Sequence, residues 1–116
     1  MDNPLATIEY LYWTNEILPS IAIGRGFPVS KNHCFQRLVL DNLFGGCWYD
    51  FLRKGTTPAY KQLSLEQLQE AIDIARSLRD LPVEHIQNLN AKSLQWRAEY
   101  HGRQEPKIKS PNILTP

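Results

Sequence analysis

The sequence predicts an all-α protein: a small single-domain helical bundle of four or five helices, with an αα-hairpin over about residues 64–101 and an extended C-terminal tail. Three observations predict it. A capping box, Ser64-x-x-Gln67, opens a segment whose apolar residues recur at helical spacing. A second 3-4 pattern follows Pro82 after a two-residue joint. The 116 residues are 42% hydrophobic, enough for one core and too short for a second of similar size.

At the N-terminus, Asn3 suits an N-cap and Pro4 the first helical position. Ile8, Leu11, Tyr12 and Leu18 then form one face, and Pro19 is expected to stop the helix. Tyr10–Trp13 would also suit a strand. Ile23 to Val29, with two glycines and a proline, reads as a loop.

The block Ser30–Gly55 carries a helical stripe of Phe35, Leu38, Val39 and Leu43, capped by Ser30 or Asn32. Gly45-Gly46 inside a helix costs roughly 2 kcal/mol relative to Ala-Ala. Either the helix breaks there or a second helix crosses closely. Because the apolar run resumes with Cys47, Trp48, Tyr49, Phe51 and Leu52, a kinked or paired helix ending near Gly55 is the expectation. Residues 55–63 read as a loop.

The helix over about 65–80 is the clearest. Leu63 and Leu68 staple its start, and Leu65, Leu68, Ala71, Ile72, Ala75 and Leu78 form its stripe. Acidic residues come early, Arg76 and Arg79 come late, and Pro82 follows. Beyond it, Val83, Ile86, Leu89, Ser93, Trp96 and Tyr100 keep helical spacing. Asn88 and Asn90 are expected to split this segment into a short turn and a helix over about 91–101, stopped by Gly102. The helical domain is thus placed at 1–101. Residues 102–116, with three prolines, are expected to form a flexible tail.

Thirteen Lys+Arg against twelve Asp+Glu exclude a strongly basic nucleic-acid binder as a whole-chain reading. No secretory leader or bilayer-length apolar run is visible, and two cysteines are too few for a disulfide scaffold. The expectation is a cytoplasmic protein without membrane contact. Walker A, Cys-x-x-Cys, His-Glu-x-x-His and Gly-x-Ser-x-Gly motifs are missing. Gly24-Arg25-Gly26 lacks the third glycine of a dinucleotide fingerprint, since Val29 stands there. No cofactor is expected. No metal is expected either, because His33, Cys34, Cys47, His85 and His101 follow no ligand spacing.

One set of residues stands out. On an unbroken helix, His33, Arg37, Asp41 and Gly45 share one face, with Trp48 a short turn further on. A fixed cation, a carboxylate and an imidazole beside a bare backbone suit a polar ligand, so His33, Arg37, Asp41 and Trp48 are the ligand-binding candidates. The plainer alternative is a surface ion pair between Arg37 and Asp41, worth under about 1 kcal/mol. Cys47, with His33 or His85 as base and Asp50 as orienter, is a conceivable nucleophile, but its aromatic neighbours look like core.

The C-terminal third mixes aromatic and basic residues. Trp96, Arg97, Tyr100, Arg103, Lys107 and Lys109 are the candidates for contact with a partner or with nucleic acid, by stacking and phosphate contact. The first expectation for function is a non-catalytic binding or regulatory module acting through protein–protein contacts or self-association, with Trp48, Tyr49, Trp96 and Tyr100 at the interface. The alternatives are a nucleic-acid-binding accessory protein using the basic C-terminal segment, and a small-ligand site or enzyme centred on His33, Arg37 and Asp41.

Overall fold

The computed structural model describes residues 4–104, and no strand forms among them. The predicted tail beyond residue 104, including Lys107 and Lys109, lies outside the described residues. The first helix starts at Pro4, as Pro at the first helical position suggests, and does not stop at Pro19. It runs as α1 (Pro4–Tyr12), a π-helical turn (Trp13–Ile17) and α2 (Leu18–Arg25) without interruption.

The π-turn explains how the helix accommodates Pro19. A proline clashes with the carbonyl four residues before it and donates no hydrogen bond. Here Leu18 N–H already reaches five residues back, to Trp13 O, so the turn is widened just before the proline. The widening also moves the buried face. Tyr10, Thr14, Leu18 and Ala22, four apart, are all fully buried, and Trp13 is nearly so. Four-residue steps drift off one side of a regular α-helix, and the extra residue in the π-turn cancels the drift. The expected face was wrong in part for this reason: Ile8 and Tyr12 point outward, with more than half their surface exposed.

Gly26 ends α2 in the left-handed conformation, φ +71°, and Phe27 N–H returns to Ala22 O at 2.9 Å. The loop predicted from residue 23 therefore begins only at 26. Arg25 then crosses to the end of α4 (Leu65–Asp80). Its guanidinium donates to the carbonyls of Leu78, Arg79 and Leu81, the last at 2.7 Å. A cation there satisfies orphan carbonyls and complements the helix dipole.

α3 (Asn32–Phe44) buries Phe35, Leu38 and Val39 as its stripe predicts. It breaks at the glycines and does not continue as a kinked or paired helix. Gly45 adopts φ +71° and, with Gly46, donates back to Asp41 O. The aromatic run that follows forms one 3-10 turn, Trp48–Asp50, and a stacked pair, Phe44 on Phe51 at 4.8 Å. A second 3-10 turn, Ala59–Gln62, leads into α4.

α4 is as predicted. Ser64 and Gln67 complete both halves of the capping box, and Leu68, Ala71, Ile72, Ala75 and Leu78 are buried. α5 (Val83–Gln104) is one helix, not two. Asn90 does not compete for its own backbone because its side-chain oxygen accepts from Arg37. Gly102 does not stop the helix, and Arg103 just beyond it is tied to Asp50 through both carboxylate oxygens. The helical body thus reaches residue 104, three past its expected end. The joint at Leu81-Pro82 is where the αα-hairpin predicts it, but α5 packs chiefly along α3. One core joins Tyr10, Trp13, Leu18 and Ala22 to Phe35, Leu38, Val39, the α4 stripe and Ile86.

Candidate functional site

The α3–α5 contact is polar where a bundle is normally apolar. Asp41 projects from α3 with no exposed surface. Its Oδ2 accepts from Ser93 Oγ at 2.6 Å and Arg97 Nε at 3.0 Å, both on α5. Its Oδ1 accepts from the Trp48 backbone N–H at 2.9 Å and Arg97 Nη2 at 3.3 Å. Burial of Arg97 opposes its charge, but the hydrogen bonds and charge of Asp41 outweigh that and raise its pKa. A buried carboxylate needs such a set, since each unmet acceptor loses its hydration.

The predicted Arg37–Asp41 pair does not form. Arg37 turns to α5 instead, donating to Ser93 Oγ at 2.7 Å and Asn90 Oδ1 at 2.9 Å. Ser93, read in the sequence as one member of an apolar-spaced stripe, is the joint of the network: it accepts from Arg37 and donates to Asp41. Asn42 adds a further bridge, donating to Leu89 O at 3.1 Å.

In front of this network lies a cavity of about 360 Å³. Three of the four ligand candidates, His33, Arg37 and Trp48, line it, and so does Arg97 from the other candidate set. Asp41 stands behind the wall, holding Arg97. Leu40, Tyr49 and Pro58 give apolar surface. Tyr49 lies under the Arg97 guanidinium at 4.4 Å and meets Trp48 and Tyr100 edge to face. The outer wall, Gly55 and Thr57–Ala59, is closed by Gln62, whose amide bonds both Arg53 N and O at 2.8 Å and Thr57 O at 3.1 Å. Gln36, also in the lining, is anchored on the π-turn through Asn15 Oδ1 at 3.0 Å and Thr14 Oγ1 at 3.3 Å.

Sequence reasoning missed Gln36, Leu40 and the 55–59 wall. It also missed the pairing of Asp41 with Arg97, residues 56 positions apart. No local spacing announces such a contact. A charged residue on the buried side of each helix was the signal available.

The other candidates fall elsewhere. Arg103 is committed to Asp50, and the Asp50 carboxyl is held below its ordinary pKa by the hydrogen bonds from Arg103. Trp96 and Tyr100 are half-buried, and neither lines the cavity. Cys47 is buried, and that burial pushes its thiol pKa up, the reverse of an activated nucleophile. Among the described residues no group of three or more His, Cys, Asp or Glu side chains is placed to hold a metal ion. Nor is any helix among them long and apolar enough to cross a membrane.

Comparison with protein-family models, curated proteins and solved structures found no match to this chain.

Proposed function

We propose that the protein is a non-catalytic binding module whose α3–α5 cavity takes a small polar ligand. The observation that carries this reading is convergence. Side chains from both helices and the 48–59 segment meet at one cavity, and hydrogen bonds hold its two arginines in place before any ligand arrives. Preorganised polar groups set in an apolar wall are the usual make-up of a ligand pocket, and the volume lies at the lower end of their range. Binding without turnover is favoured because two of the nearby reactive groups are committed: Asp41 accepts four hydrogen bonds and Cys47 is buried.

Purified protein dialysed against a small-molecule cell extract, with retained compounds read by mass spectrometry, tests this. Wild type and Ile8→Ser retain the same compound, and Trp48→Ala loses it. No retention by wild type, or equal retention by Trp48→Ala, contradicts the proposal.

A second reading, contact with a protein partner, has its own support. Leu5, Ile8, Tyr12 and Ile23 are exposed large apolar residues along the first helix. The four rings expected at an interface, Trp48, Tyr49, Trp96 and Tyr100, are half-buried. The nucleic-acid reading is weakened by the pairing of Arg97 and Arg103 with aspartates. Two free cysteines fit a reducing, cytoplasmic setting.

A further inference from the structure

We infer that the α3–α5 cavity is an anion site, taking a carboxylate or phosphate oxyanion carried on a compact apolar or aromatic body; this rests on the reading of the cavity as a ligand pocket. The charged and titratable side chains in its lining, apart from the Tyr49 phenol, are His33, Arg37 and Arg97, and no carboxylate is among them. Asp41 offsets one of the two guanidinium charges, and it does so from behind the wall, with its oxygens filled by Arg97, Ser93 and the Trp48 N–H.

Arg37 has no direct counter-charge, and Asp41 reaches it only through the Ser93 hydroxyl. Both of its protein acceptors are neutral oxygens, Ser93 Oγ and Asn90 Oδ1, and it forms no ion pair among the described residues. A guanidinium carries five N–H donors in a rigid fork. The two bonds to α5 orient that fork and leave the remaining donors for a ligand, the geometry that suits a planar carboxylate or a phosphate. A cation brought here would meet Arg37 and Arg97. A neutral guest would leave the two guanidinium groups sharing the single Asp41 carboxylate. Leu40, Trp48, Tyr49 and Pro58 give the apolar body of the ligand its contact surface.

Isothermal titration of the full chain with benzoate, phenyl phosphate, benzyl alcohol and benzylamine tests this. At least one of the two anions binds saturably, at least about tenfold tighter than benzyl alcohol or benzylamine. The stronger of the two tells whether the site prefers carboxylate or phosphate. Arg37→Gln, with its fold checked by circular dichroism, weakens that anion by about tenfold or more and benzyl alcohol by much less, and Arg37→Lys retains part of the affinity. With wild type alone, inorganic phosphate competes with the bound anion. Benzyl alcohol or benzylamine binding as tightly as the anions, or no competition by phosphate, overturns the anion assignment and leaves the ligand-pocket reading standing. Absence of binding by all four probes overturns the anion assignment, and the dialysis result then decides the pocket reading separately.

Discussion

Asp41 is the residue on which the α3–α5 contact depends. It is a charge without exposed surface, and Arg97, with 15% of its side chain exposed, neutralises it. Removing one partner of a buried pair leaves the other uncompensated, a loss of about 3–5 kcal/mol. Arg97→Gln should therefore lower unfolding stability by that amount in urea titration, well beyond the effect of cutting an exposed pair such as Arg76–Glu9. Tyr10 is the opposite case. Its ring is fully buried, its hydroxyl has no hydrogen-bond partner among the described residues, and burial, with Tyr60 beside it, pushes the phenol pKa up. An unmet buried hydroxyl costs about 1–3 kcal/mol. Tyr10→Phe is accordingly expected to stabilise the protein by about 1 kcal/mol or more, seen as a higher Tm. The sequence hid both effects, because the partners that meet Asp41 lie on another helix and the isolation of the Tyr10 hydroxyl arises only from packing.

At the level of elements, local chemistry was legible where it was self-contained. The capping box and apolar stripe of α4 act within a few residues, and that helix forms as written. Elements whose ends depend on distant groups were not legible. Pro19 reads as a stop until the π-turn widens the helix before it. Asn90 reads as a break until Arg37 occupies its side chain. Gly45-Gly46 allowed two outcomes, and the hydrogen bonds back to Asp41 O decide for a break. That break turns the chain so that the Trp48 N–H reaches the Asp41 carboxylate, so the cap and the buried ion pair form one unit. At φ +71°, Gly45→Ala is strained by about 1–2 kcal/mol. Thermal melts should show a matching loss, with amide shifts concentrated in 41–52.

For the whole molecule, the helical architecture and one core were legible from composition and periodicity, whereas the site was legible only as a set of residue types. His33, Arg37 and Trp48 do share a cavity, but the partner assumed for Arg37 was wrong, and four of the eleven lining residues come from a loop with no periodicity to read. Two surfaces are proposed for the working role: the α3–α5 cavity and the exposed apolar residues of the first helix. The near-neutral charge of the chain does not separate them, because it sums charges over the whole sequence. A map of binding locations tests whether ligands bind in the cavity, without knowledge of the natural ligand. Amide shifts recorded while a diverse fragment set is titrated into the labelled protein should cluster at residues 33–41, 48–59 and 93–97. Shifts clustering instead along 5–23, or scattered without saturation, would rule out the cavity as the binding site.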